Sequence, residues 1–159
     1  MRKRLISPIR STAVVRESGW LDLDQAALVE VTSEAEGFPV EEALLGDGRG
    51  WRADVSGIQT IRLLFDRPQS IHLVRLVFKE ETFPRTQEFV LRWLPSGAGS
   101  WEDIVRQQWN FSPPNTIEEC EEYKLDLPSA AALELSINPD ISSGEARSSL
   151  QRLQVAARS

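Results

Sequence analysis

From Trp20 onward, apolar and polar residues alternate in short runs that glycine and proline interrupt. Leu28, Val29 and Val31 predict a first strand, closed by Gly37-Phe38-Pro39. Val40 to Leu45 reads as one helical turn ended by Gly46. Ile58 to Phe65 is a run of β-branched and apolar residues, and a second run extends from Ile71 to Phe78. The Asp66-Arg67-Pro68 between them predicts a hairpin turn, because proline fixes its own backbone angle and lacks the N–H that a central ladder requires. Both faces of the second run are largely apolar, which predicts a central strand covered on both sides.

Further strands are predicted at Glu88 to Leu94, Trp101 to Phe111, Tyr123 to Leu127, Ala131 to Ile137 and Leu150 to Ala157. Pro95-Ser96-Gly97, Ser112-Pro113-Pro114-Asn115, Pro128 and Asn138-Pro139 separate them. About eight short strands without a long amphipathic helix predict an all-β fold, an antiparallel jelly-roll β-sandwich. No fixed-period repeat is visible, which argues against propellers and solenoids.

With 159 residues the chain suits one domain. Residues 1–19 read as a tail or leading strand and residues 20–159 as a single sandwich. The hydrophobic share of 41%, with five Trp and six Phe, is too high for a disordered chain. A formal net charge of −6 argues against nucleic acid as a partner, since phosphate binding needs many lysines and arginines. Leu5-Ile6 is followed by Ser7 and Pro8 rather than by the apolar run of roughly 7–15 residues that a signal peptide needs. No stretch approaches the roughly 20 apolar residues of a membrane span. Cys120 is alone, so neither an intrachain disulfide nor a multi-cysteine metal site is expected. A reducing cytoplasm suits these features.

The succession EEALLGDGRGWRAD, QTIRLLFDRPQSIHLVRLVF, EFVLRW and LQRLQVAA resembles the discoidin, or coagulation-factor C-type, domains of the galactose-binding-like superfamily, over about residues 25–157. The resemblance implies an eight-stranded jelly roll and a non-catalytic binder of sugars, lipid head groups or proteins. Many such domains hold calcium at the loop matching Gly46 to Gly50. Here Asp47 keeps the first acidic position, but Arg49 stands at the second, Gly50 replaces a threonine, and Arg152 replaces a glutamate on the last strand. Guanidinium groups where a cation would sit oppose it, since calcium needs about six to eight oxygen ligands. Calcium is therefore disfavoured, no other cofactor or metal is expected, and an Asp47–Arg152 pair, helped by Arg49, is expected to take the ion's place.

Candidate ligand contacts are Arg49, Trp51, Arg52, Phe83 and Arg85. Trp51 and Arg52 would supply a stacking surface and a hydrogen-bonding fork. The alternative for Trp51 is packing under the sandwich edge, where the matching Trp of such domains generally lies. Lys79 to Arg85 forms a loop on the rim where the family's ligand loops lie, with Phe83 as an anchor. Trp101, Trp109 and Phe111 share odd numbering and so one side of an extended strand, a face that is expected to be core. Arg106, Gln108 and Asn110 would then point outward. His72 has no partner for catalysis or metal binding nearby in sequence. No phosphate loop, zinc spacing or nucleophile elbow appears, so an enzyme is not expected. The expected function is a ligand-binding module recognising a carbohydrate through its rim loops. The alternative is a protein-interaction or assembly domain.

Overall fold

A computed structural model describes residues 19–46, 48–142 and 144–158. The N-terminal tail read from the sequence thus lies almost entirely outside the described residues. The elements in chain order are α1 (Leu23–Ala26), β1 (Ala27–Val31), α2 (Glu41–Leu44), β2 (Trp51–Ser56), β3 (Gln59–Lys79), β4 (Arg85–Pro95), β5 (Glu102–Phe111), β6 (Glu118–Asn138), β7 (Arg147–Leu150) and β8 (Arg152–Arg158). Among the described residues no helix is long and apolar enough to cross a membrane.

All pairings are antiparallel. The main sheet runs β1-β3-β6-β4-β5, β8 also pairs with β3, and β2 and β7 form a separate pair. The first part of β3 pairs with β1 and with the end of β6. Its second part pairs with β8 and with the start of β6, so β3 and β6 pass through both layers of the sandwich. Ser148 Oγ lies 3.3 Å from Ile137 O, Ile137 being opposite Gln59, and the next residue's Oγ lies 3.5 Å from Lys79 O. Both ends of β3 therefore sit at one end of the sandwich, which also carries the segments 80–84, 112–117, 139–142 and 144–146.

This geometry corrects the hairpin expected at Asp66-Arg67-Pro68. The runs on either side of Pro68 do not pair with each other but lie in opposing layers. Pairing with β1 ends at Phe65, pairing with β8 begins at Ser70, and the β3–β6 register shifts between Leu64 and Gln69. Pro68 thus falls where no ladder bond is made, and Pro128, between Leu127 and Ala130 of the partner strand, does the same. Each proline marks a strand changing layers, and two pairs of predicted strands merge into β3 and β6. The total stays at eight because β2, which the pattern did not predict, appears and the last predicted strand divides at Gln151, whose N–H bonds Val77 O at 2.8 Å.

The core explains which residues face inward. Ile61, Leu63 and Phe65 are buried in the first part of β3, and Val74, Leu76 and Phe78 in the second. The change of parity follows from a bulge between Ile71 and Leu73. Leu73, Arg75 and Val77 consequently point away from the core and are only partly covered, so the strand is buried on one face rather than both. Phe78 stacks on Phe89 of β4 with centroids 5.2 Å apart, tying the layers together. Truncating such a buried aromatic costs about 3–5 kcal/mol.

Candidate ligand-binding surfaces

The glycine-rich turn after α2 delivers two arginines to one aromatic ring. Gly50 has φ +78°, and a Cβ there would lie 2.7 Å from Leu150 O, so the turn closes against β7 only with glycine. Alternation along β2 then sends Trp51 inward and Arg52 outward. Trp51 is 1% exposed and its Nε1–H donates to Ser33 O at 2.9 Å. Of the two roles weighed for Trp51, packing under the sandwich edge is the one the structure shows. Arg52 N–H donates to Phe38 O (3.3 Å) and Ala35 N–H to Arg52 O (2.8 Å), fixing the 35–38 segment beside β2. The Arg52 guanidinium carbon lies 4.5 Å from the Phe38 ring centroid and that of Arg49 5.4 Å. Neither arginine pairs with a carboxylate among the described residues.

Asp47 lies outside the described residues, so the structure gives no geometry for an Asp47–Arg152 pair. Arg152 lines a cleft of about 360 Å³ with Trp20, Asp22, Asp24, Leu45 and Gln154. What ties the glycine turn to the last strands is Gln151, whose Nε2 donates to Gly48 O at 3.0 Å.

The segment between β3 and β4 is a braced frame that carries an exposed aromatic. Glu80 Oε1 accepts from Arg85 Nε at 2.7 Å, and its Oε2 accepts from the N–H groups of Thr82 and Phe83 at 3.0 and 3.2 Å. Burial alone would raise the Glu80 pKa, but the Arg85 bond and these two amides outweigh it and hold the carboxyl below its ordinary range. Arg85 also donates to Pro139 O at 2.7 Å and lies 4.9 Å over the Phe111 ring. Its side chain is 2% exposed, so Arg85 braces the loop and offers no ligand contact, contrary to expectation. Phe83, by contrast, is 66% exposed. Val55, Ile58 and Ile141 are further exposed apolar residues at this end, and Ile141 N–H bonds Thr86 O at 2.9 Å.

Beneath this rim the space between the layers is polar. Gln87 Nε2 donates to Glu119 Oε1 at 3.2 Å, both residues being 0% exposed. Burial, and then the neighbouring Glu121 carboxyl, pushes the Glu119 pKa up to about 8, so Glu119 is mostly protonated at neutral pH. Burial also raises the Tyr123 hydroxyl, with Glu121 and Glu119 adding to the effect.

On β5, Phe111 is buried and Trp109 packs against the core, as the alternation predicts. Trp101 does not share their face. The β4–β5 register shifts between Leu91 and Arg92, so Asp103 faces outward with Arg92 at 2.7 Å whereas Val105 faces the core. Trp101 lies before this bulge, beside Arg62 at 5.8 Å. Arg106 and Gln108 do point outward, both to Glu88 (2.7 and 2.9 Å), and Asn110 accepts from Thr86 Oγ1 at 2.6 Å.

Sequence reading missed two residues. Phe38 counted only as part of a strand breaker, although an aromatic flanked by Gly and Pro is a signal for a displayed ring. Glu80 was one acid in a charged loop, and its spacing of five from Arg85 gave no sign of a pair.

The sandwich is similar in fold to family 32 carbohydrate-binding modules (CBM32). A CBM32 module from a family 31 glycoside hydrolase of Clostridium perfringens superposes with a TM-score of 0.63 at 13% identity, covering 89% of this chain and 97% of that one. A second, from C. perfringens NanJ in complex with galactose, gives 0.60 at 13% identity over 86% and 96%. A third from the same species, in complex with GalNAc-β-1,3-galactose, gives 0.62 at 16% identity over 86% and 98%. At these identities the likeness is one of fold, and at that level the resemblance read from the sequence holds. No family model and no curated protein sequence matches the chain.

Proposed function

We propose that the chain is a non-catalytic module that binds a carbohydrate at the end of the sandwich carrying Phe83, with Arg49 and Arg52 as further contacts. The observation that carries this reading is the 66% exposed Phe83 ring held on a loop whose brace, Arg85, is buried. An aromatic face accepts the C–H surface of a sugar, and a loop already held in place loses little entropy on binding. The CBM32 fold supports the reading by analogy. Glu119 and Glu121 are the converging carboxyls in this part of the molecule, but Glu119 has no exposed surface, so the pair does not support glycoside hydrolysis. A glycan array with the purified chain tests the proposal. Signal is expected for at least one saccharide class, and uniform absence of signal overturns it.

A second reading draws on Val55, Ile58 and Ile141, which add exposed apolar area at the same end of the sandwich as Phe83. Such a rim suits a protein partner. A chain that is silent on the array but self-associates in light scattering supports this reading instead, provided that Phe83→Ser abolishes the association.

A further inference from the structure

On a chain of net charge −6, binding of an anion has to come from a local arrangement. The pair Arg49 and Arg52 is such an arrangement. Arg62, Arg75, Arg85, Arg92 and Arg106 each face a carboxylate within 4 Å. Arg49 and Arg52 face none among the described residues, both are exposed, and both rest on the half-buried Phe38 ring at 5.4 and 4.5 Å. A guanidinium lying over an aromatic face keeps its N–H edges for other partners.

The backbone beneath them is fixed on both sides. Arg52 is bonded through its N–H and its carbonyl to Phe38 and Ala35. Arg49 lies between Gly48, whose carbonyl is held by Gln151, and Gly50, which allows no side chain toward Leu150. Two like charges are thus displayed beside one ring with no counter-charge among the described residues. An oxyanion shared between them would relieve their repulsion and form charge-assisted bonds, which are about twice as strong as neutral ones. The planar guanidinium fork matches a carboxylate best.

We infer that Arg49 and Arg52, carried on Phe38, form a subsite for the oxyanion of an acidic saccharide, with the carboxylate of a uronic acid as the favoured group. This rests on the carbohydrate reading above and narrows it from saccharides in general to acidic ones.

Isothermal titration of the full chain with a galacturonic acid trisaccharide, the matching neutral galactose trisaccharide and a sulfated galactose trisaccharide tests the inference. The uronic ligand is expected to bind about tenfold or more tightly than the neutral one. That advantage should shrink as salt rises from 50 to 500 mM, roughly as Debye screening requires. Stronger binding of the sulfated ligand than of the uronic one would keep the oxyanion subsite and transfer the preference to sulfate esters. Arg49→Ala/Arg52→Ala should remove the acidic preference with an unchanged melting temperature. Equal affinity for neutral and acidic ligands, or an acidic preference that survives the double substitution, overturns the inference and leaves carbohydrate binding standing. No heat with any of the three, together with a silent array, overturns both.

Discussion

Arg85 on Phe111 and Arg52 on Phe38 are the same kind of contact, with guanidinium carbons 4.9 and 4.5 Å from a phenyl centroid, yet they serve opposite ends. Arg85 is surrounded by acceptors: the Glu80 carboxylate, Pro139 O and Gln87 Oε1. Its charge is compensated inside the protein, and nothing of it remains for a ligand. Arg52, and Arg49 with it, has no carboxylate partner among the described residues and rests on the ring alone. An arginine–aromatic pair therefore does not identify a binding site. What separates a brace from a contact is whether the donors are already satisfied.

The largest expected effect comes from breaking the brace. Arg85→Ala leaves Glu80 partly buried without its cation, and loss of one partner of a buried ion pair costs about 3–5 kcal/mol. Urea unfolding should show this loss, and a change under about 1 kcal/mol would mean that Arg85 does not brace the loop. Arg85→Lys should recover only part of the loss, because a lysine ammonium cannot bond Glu80 and Pro139 O with the same planar fork.

A smaller effect concerns pH. The folded-state pKa of Glu119, about 8, stands above the ordinary 4.5, so the folded chain holds a proton that the unfolded chain has released. Its contribution to stability is complete below about pH 4.5 and is lost as pH rises toward 8, at no more than about 1.4 kcal/mol per pH unit. Glu80, Glu88 and Asp140 are shifted downward, and their contribution is lost as pH falls below the ordinary carboxylate range. Stability should therefore peak on the acidic side of neutrality. Glu119→Gln keeps the acceptor for Gln87 and removes the titration, so denaturation between pH 5 and 8 should become flatter. An unchanged slope would show that Glu119 is ionised in the fold.

The smallest effect on stability belongs to the other arginine pair. Arg49→Ala and Arg52→Ala should each change unfolding free energy by less than about 0.5 kcal/mol, as exposed substitutions usually do. A loss comparable to that of Arg85→Ala would erase the distinction between brace and contact.

The sequence made the layered β architecture legible because alternation and breakers report burial and interruptions locally. It did not distinguish a turn from a change of layer at Pro68 and Pro128, since a missing N–H is compatible with both. Nor did it reveal the bulges near Leu73 and at Asp103–Val105, each of which reverses the inward face and so moved Trp101 away from Trp109 and Phe111. Among the candidate contacts, Arg52 and Phe83 are exposed as expected, while Trp51 and Arg85 are buried. The difference lies in partners distant in sequence, Ser33 for Trp51 and Pro139 for Arg85, which no local pattern announces.

The most direct test of the carbohydrate reading is a backbone amide NMR titration of the full chain with a saccharide that binds on the array. The largest shift changes are expected on the Thr82, Phe83, Phe38, Arg49 and Arg52 amides, with the β8 amides unmoved. Saturable shifts confined to the cleft lined by Trp20, Asp22 and Arg152, or to the outer face of β3 and β6, would contradict it.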